Sequence, residues 1–170
     1  MSPPEIWGPA VWLLFHTLTE KISEEAFPYE GKNLFNMIVQ ICKFLPCPDC
    51  ASDATIFLSK IKISEIQNKI DLKNKMYFFH NYVNHKKRKP LFQYSELNKY
   101  TRANVVNVIN NFIIHYQTKG NMKLLSDSFQ RQFVINDLKA WLSKSIRAFY
   151  SPIVTPQQLP ETYEDDTTTY

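Results

Sequence analysis

Leu45-Pro46-Cys47-Pro48-Asp49-Cys50-Ala51 ends one helical pattern and begins another. The residue before a proline is pushed out of the right-handed helical region, so the pattern rising from Asn33 stops at Leu45. Its apolar members, Leu34, Met37, Ile38, Ile41, Cys42 and Leu45, recur three and four residues apart, as one face of a helix does. The same spacing resumes through Ala51, Ala54, Phe57 and Leu58 and carries a second helix to about Lys60. Two cysteines three apart at a helix start can close a small disulfide ring. The first lies at the helix N-terminus, whose partial positive charge stabilises a thiolate, the species that attacks disulfides. A C-x-x-C also fits a pair of buried thiols or part of a zinc site. Zinc needs four ligands, and only Cys42 and four histidines remain to complete them.

Outward from this stretch the chain stays helical. On the N-terminal side, Ala10, Val11, Leu14, Phe15, Leu18 and Ile22 predict a helix from Trp7 to Ile22, followed by a loop from Ser23 to Gly31 that contains Pro28. On the C-terminal side, Ile61 to Leu72 is β-branched and reads as short helix or loop. Asn74 to His85 is helical, with Met76, Tyr77, Phe79, His80, Val83 and Asn84 near one side. Lys86-Lys87-Arg88-Lys89-Pro90 is a basic turn. A helix then runs from Ser95 to about Tyr116, broken by Gly120 and Asn121, and a last one covers Asp127 to Phe149. Prolines at 152, 156 and 160 and a Thr- and acid-rich end make 151–170 read as an extended, disordered tail.

With 170 residues, 44% hydrophobic and 14% aromatic, the chain can bury the core of one domain with an appendage. Three glycines, and no G-x-G-x-x-G, exclude a Rossmann nucleotide site, so any nucleotide cofactor must be held by side chains. The net charge of +4 is uneven. Residues 161–170 hold four acids and no base, which leaves the first 160 with twenty bases against twelve acids, a balance favouring an anionic ligand. No basic leader and no run of about 18 apolar residues occurs, so the protein reads as soluble and unexported, with no membrane partner. Four bases in one turn are a small footprint for nucleic acid, and no nucleic-acid partner is expected.

Two further constellations matter. Trp12-x-x-x-His16 shares one helical face. His80-Asn81-Tyr82-Val83-Asn84 precedes Lys86 and Lys89, and two asparagine amides beside lysines suit a ribose-phosphate. Singly, each is an ordinary helical feature. Together with P-C-x-x-C, in this order and spacing, they resemble the Erv/ALR family of FAD-linked sulfhydryl oxidases. The opening Trp7-Gly8-Pro9-Ala10-Val11-Trp12-Leu13-Leu14-Phe15-His16, with Leu45-Pro46-Cys47 and Phe79-His80-Asn81-x-Val83-Asn84, is most similar to the branch encoded by large DNA viruses. The resemblance covers residues 6 to about 101.

The resemblance implies an all-α fold: a four-helix bundle with a short fifth helix cradling FAD, within residues 1–101. Residues 102–150 form a helical extension. It implies that Cys47 accepts electrons from substrate thiols and that Cys50 faces the flavin. Trp7, Gly8, Trp12 and His16 belong near the flavin and its linker. His80, Asn81, Val83 and Asn84 hold the adenosine part, with Lys86 and Lys89 near the pyrophosphate. The expected substrates are protein dithiols or a separate thiol redox carrier. Molecular oxygen accepts the electrons and gives hydrogen peroxide. A homodimer formed through the first helices is the family default, and the setting is the host-cell cytoplasm or the virion. The alternative is an oxidase-fold structural or interaction protein of a virion with little or no turnover. Three departures stand out. Cellular members often carry a structural disulfide at the positions of Tyr77 and Tyr94, where an aromatic contact is expected instead. A position commonly aromatic before the adenine site is Lys75, and no second C-x-x-C is present to act as a shuttle. Cys42, on an apolar helix face, reads as a core thiol.

Overall fold

The structure, a computed structural model, describes residues 3–117 and 125–150, and among these no strand occurs. The expected helix breakers Gly120 and Asn121 and the expected tail at 151–170 lie outside the described residues.

Helix α1 spans Pro4–Lys21 and starts on a proline, which has no amide hydrogen to leave unpaired in the first turn. It buries Trp7, Val11, Leu14, Phe15 and Leu18, and also His16, Thr17 and Thr19. A surface helix would keep one face polar. α1 is instead enclosed by the helices that follow: α2 (Phe27–Lys43), α4 (Lys69–Lys86), a 3-10 helix (Tyr94–Arg102), α5 (Val105–Tyr116) and a 3-10 turn (Ile146–Phe149). α3 (Pro48–Ser59) packs on α2, and so does α6 (Leu125–Ser145). Thus α1–α4 and the 3-10 helix Tyr94–Arg102 make the expected bundle with its short fifth element. α5 and α6 add a layer that shares its core: Leu14, Ile38, Leu72 and Met76 belong to one continuous apolar cluster with Phe112, Tyr116, Ile135, Leu138 and Phe149.

Polar contacts tie that layer down. Tyr116 Oη donates to the Ile41 carbonyl at 2.9 Å. Glu30 accepts from Trp141 Nε1 at 2.7 Å and from Ser145 Oγ at 2.8 Å. Burial pushes the Glu30 pKa up, and the hydrogen bonds from Trp141, Asn33 and Ser145 outweigh it, so the carboxyl sits below its ordinary value.

Several boundaries differ from the sequence reading. The loop expected at Ser23–Gly31 is short. Pro28 lies in the first turn of α2, and Gly31 is inside that helix, where the buried Phe27 ring packs on it. A Cβ there would come within 2.6 Å of that ring. α4 begins at Lys69, five residues before the expected Asn74. Asn68 Oδ1 accepts from the Asp71 N–H and Asp71 Oδ2 accepts from the Asn68 N–H, a reciprocal cap. The helix expected from Ser95 to Tyr116 divides at Ala103, which is extended, and restarts where Asn104 caps Asn107 N–H at 3.0 Å. The last helix ends in 3-10 geometry at Ile146–Phe149.

Tyr77 and Tyr94 meet as expected, edge to face, with ring centroids 5.1 Å apart, and Tyr94 Oη donates to Asn74 Oδ1 at 2.9 Å. Such a pair contributes roughly 0.5–1.5 kcal/mol beyond its buried area.

The basic turn closes α4. Arg88 N–H donates to the His85 carbonyl, Lys89 N–H donates to the Asn84 carbonyl at 2.9 Å, and Arg88 has a φ of 54°. This is a Schellman ending whose left-handed position is normally glycine. A side chain there costs about 1 kcal/mol. Arg88→Gly should therefore stabilise the protein by about 1 kcal/mol, read as a rise in Tm. An unchanged or lower Tm would contradict the strain.

Candidate functional site

Cys47 is the N-cap of α3, and its Sγ accepts the Cys50 N–H at 3.3 Å. The two cysteines form a disulfide, with Cα atoms 5.2 Å apart. Cys50 lines a cavity of about 680 Å³ between α1, α3 and α4, and Cys47 does not. The walls are Trp7, Gly8, Trp12, Phe79, His80, Val83 and Asn84, with Lys86, Lys87, Lys89 and Lys99 also lining it.

One wall is a stack of rings. Trp12 lies on His80 with centroids 4.1 Å apart and planes within 12°. Phe92 stacks on the His80 ring at 4.8 Å. His16 stacks between Phe92 at 5.4 Å and Tyr100 at 5.0 Å. His16 Nε2 and His80 Nδ1 are 2.9 Å apart. One nitrogen must donate and the other accept, so the pair forms only when at least one facing nitrogen carries no proton. Burial, then His80, then Lys99 and Lys73 lower the His16 pKa to about 3. Burial, then Lys99 and Lys89 against an opposing Glu96, lower that of His80 to about 4.

Of the residues expected to hold the cofactor, Trp7, Gly8, Trp12, His80, Val83, Asn84, Lys86 and Lys89 line the cavity. Two do not. His16 stands behind Trp12 and His80 as part of the ring stack. Asn81 turns both ends of its amide to the backbone of Phe92: Nδ2 donates to the carbonyl at 3.0 Å and Oδ1 accepts the N–H at 2.8 Å. It clamps the segment that carries Phe92. Lys86 ion-pairs with Asp53, which is on α3 three residues after Cys50. Lys75 pairs with Glu65 at 2.6 Å and is no part of the cavity wall. Cys42 is buried, forms no disulfide, and burial raises its thiol pKa far above the ordinary value. It contributes to the cavity wall.

Sequence reasoning missed Asp53, Phe79, Lys87, Phe92, Lys99 and Tyr100. Phe79 read as one of the residues on a helix face, and Lys99 and Tyr100 reach the cavity because the 3-10 helix folds back over α1.

The lining suits a planar, anionic, extended cofactor. Rings offer a stacking face, four lysines oppose negative charge, and the volume is within the roughly 300–1,000 Å³ of such sites. A Cβ built on Gly8 meets no atom within 4 Å, so the space beside it is free for a ligand.

A helical bundle with a C-x-x-C disulfide whose second sulfur lines an aromatic, lysine-rich cavity defines a thiol–disulfide redox protein with a cofactor site. The Erv1/Alr family model matches residues 9–102, and the chain belongs to that family. It is similar to an FAD-linked sulfhydryl oxidase of African swine fever virus, 26% identical over 103 residues, covering 61% of this chain and 86% of the viral protein. It is also similar to a protein of Invertebrate iridescent virus 6 that carries the same description provisionally. That match is 28% identical over 102 residues, covering 56% of this chain and 92% of the relative. No solved structure matches the chain.

The histidine pair has a pH signature. Unfolded, both histidines take up protons near 6.5. Folded, they resist until about 4 and about 3. Their contribution to stability is full above pH 6.5 and declines as pH falls towards 4, because the unfolded state binds more protons. The unfolding free energy of the apo-protein should fall across this window, and His80→Gln should reduce the slope by about one proton. A slope identical in the variant would count against the neutral pair.

Proposed function

We propose that this chain is an FAD-linked sulfhydryl oxidase that forms disulfides in protein dithiols and delivers the electrons to oxygen. The observation that carries the reading is the placement of one disulfide at the edge of a cavity: Cys50 lines the cofactor-sized space and Cys47, also part-buried, does not. The family match and the relatives' descriptions support it.

Cys47 takes the attack of a substrate thiolate, and Cys50 leaves as a thiolate into the cavity. Trp12 and His80 give a flat face for stacking. Asn84 supplies an amide, and Lys86, Lys87, Lys89 and Lys99 supply positive charge for a diphosphate. His16 and Asn81 position that wall, His16 by its bond to His80 and Asn81 by its grip on Phe92. Phe79, Val83 and Trp7 exclude water. FAD, bound non-covalently, supplies two-electron acceptance from thiols and onward transfer to oxygen, giving hydrogen peroxide.

Among the described residues, no helix is long and apolar enough to cross a membrane. The proposed setting is the host-cell cytoplasm or the virion, in keeping with the viral relatives. The proposed assembly is a homodimer. Because α5 packs along α1 and α6 along α2, it uses faces of the first helices that those two leave free. Sedimentation of the purified protein tests it.

Purified protein should be yellow, release FAD on denaturation and consume oxygen with dithiothreitol. A colourless protein without oxygen uptake would instead support a virion component that keeps only the fold. Cys47→Ser and Cys50→Ser should each abolish thiol oxidation while FAD stays bound. Cys42→Ala should retain turnover to within about twofold, since a thiol held protonated by burial is a poor nucleophile. Loss of turnover in a folded, FAD-loaded Cys42→Ala protein would put Cys42 in the electron path.

A further inference from the structure

A second depression, of about 360 Å³ and open to solvent, lies beside the disulfide and outside the cofactor cavity. Its floor and one side come from the end of α2 and the outer face of α3, with Phe44, Pro48, Thr55 and Ile56. Its other side carries Asp127, from the first turns of α6 in the extension, and Lys43 also lines it. We propose that this groove is the docking site for the cysteine-bearing segment of a polypeptide substrate, and that the extension is therefore a substrate-selecting element. This rests on the sulfhydryl-oxidase reading above.

The approach geometry comes first. Thiol–disulfide exchange brings the entering sulfur in line with the bond it breaks. Cys50, which supplies the leaving sulfur, lines the cavity and Cys47 does not, so the proposal has the attacker reach Cys47 from outside the cavity. Pro48 follows Cys47 directly and Ala51, whose N–H donates to the Cys47 carbonyl at 2.9 Å, is one turn on. Both border the groove. A chain in the groove thus lies against the residues that flank Cys47 in the sequence and on the first turn of α3.

The lining then fits a polypeptide. Ile56 is half exposed at 50% and offers an apolar contact. Thr55 is an exposed hydroxyl, and Lys43 and Asp127 put one charge of each sign at the rim. That mix complements a segment of mixed sequence and opposes neither charge. It does not suit a uniformly anionic partner.

The wall from the extension is fixed in place. Tyr116 Oη bonds the Ile41 carbonyl, and Arg131 Nη1, on a buried side chain one turn beyond Asp127, lies 3.5 Å from the Phe44 carbonyl. Both are carbonyls at the end of α2, and that of Ile41 also accepts the Phe44 N–H at 3.2 Å. The extension therefore grips the segment that leads into Cys47.

The reaction balances without an added reagent. The substrate thiolate forms a bond to Cys47 Sγ and breaks Cys47–Cys50, leaving Cys50 as thiolate. The second substrate thiolate attacks its own neighbour in the mixed disulfide and releases Cys47 as thiolate. The substrate loses two electrons, its two protons having gone to solvent when the thiols ionised, and the cysteine pair gains the two electrons for the onward transfer proposed above.

The test compares two substrates on the FAD-loaded full chain: reduced lysozyme as polypeptide and dithiothreitol as a small dithiol that needs no groove. Thr55→Arg and Ile56→Arg alter exposed positions of α3, and Asp127→Ala alters the opposite wall. Each should raise KM for reduced lysozyme by about fivefold or more, equivalent to about 1 kcal/mol. KM and kcat for dithiothreitol should stay within about twofold. Equal loss on both substrates, or no loss on lysozyme, overturns the groove while leaving the oxidase reading intact. Failure of the unaltered chain to oxidise dithiothreitol sinks that reading instead. A changed sedimentation coefficient with unchanged lysozyme kinetics assigns the groove to a second copy of the chain and likewise overturns the proposal.

Discussion

The hydrogen bond between two imidazoles, His16 Nε2 and His80 Nδ1 at 2.9 Å, joins α1 to α4, and the cavity is built around it. A buried polar pair left unmatched costs about 1–3 kcal/mol. The two helices are therefore held at the one register and rotation that brings the nitrogens together. That register also lays Trp12 flat on His80 and allows Phe92 and Tyr100 to stack behind. Asn81 then fixes Phe92 by its backbone, so the ring stack does not depend on apolar contact alone. At least one of the two facing nitrogens must stay unprotonated. The surrounding lysines help enforce this, since each lowers the tendency of the histidines to take up protons. The same positive field that suits an anionic cofactor also keeps the wall behind it uncharged.

The extension plays a comparable part at the other side of the bundle. α2 is held near its start through Glu30, by Trp141 and Ser145, and at its end through the Ile41 carbonyl, by Tyr116. A carboxylate taken partly out of water and a buried carbonyl with a second lone pair to fill both gain from such donors. α5 and α6 satisfy them from the same layer that completes the apolar core around Leu14 and Ile38. Helices α5 and α6 are thus part of the bundle's stability and hold the end of α2 that leads to Cys47.

The chemistry was more legible in the sequence than the geometry. P-C-x-x-C, Trp12-x-x-x-His16 and His80-Asn81-x-Val83-Asn84 pointed to the cavity because their residue types carry the chemistry. The contact of Tyr77 with Tyr94 followed from counting positions. Direction did not follow. Asn81 and Asn84 look equivalent in the motif, yet one faces Phe92 and the other the cavity, a difference of helical phase decided by a loop eleven residues on. Helix starts were misplaced where polar side chains override periodicity. Asn68 and Asp71 cap α4 through a segment that reads as β-branched, and Asn104 restarts a helix within an apolar run. Gly31 read as a turn because the ring that demands it, Phe27, lies four residues before it on the same helix.

The position of the disulfide gives its two sulfurs different chemistry. Both belong to the first turn of α3, where unpaired backbone amides make a positive end. Cys47, the cap itself, has the Cys50 N–H directed at its sulfur. When Cys47 is bonded to a substrate, that donor favours negative charge on Cys47, the sulfur that must leave as the substrate closes its own disulfide. Cys50 has no such need at the substrate side. Its sulfur belongs to the cavity wall, near the lysines that Asp53 and Lys86 connect to α3. On the proposed reading, a helix start placed against a cavity thus divides one disulfide into a cysteine that exchanges with substrate thiols and a cysteine that borders the cofactor.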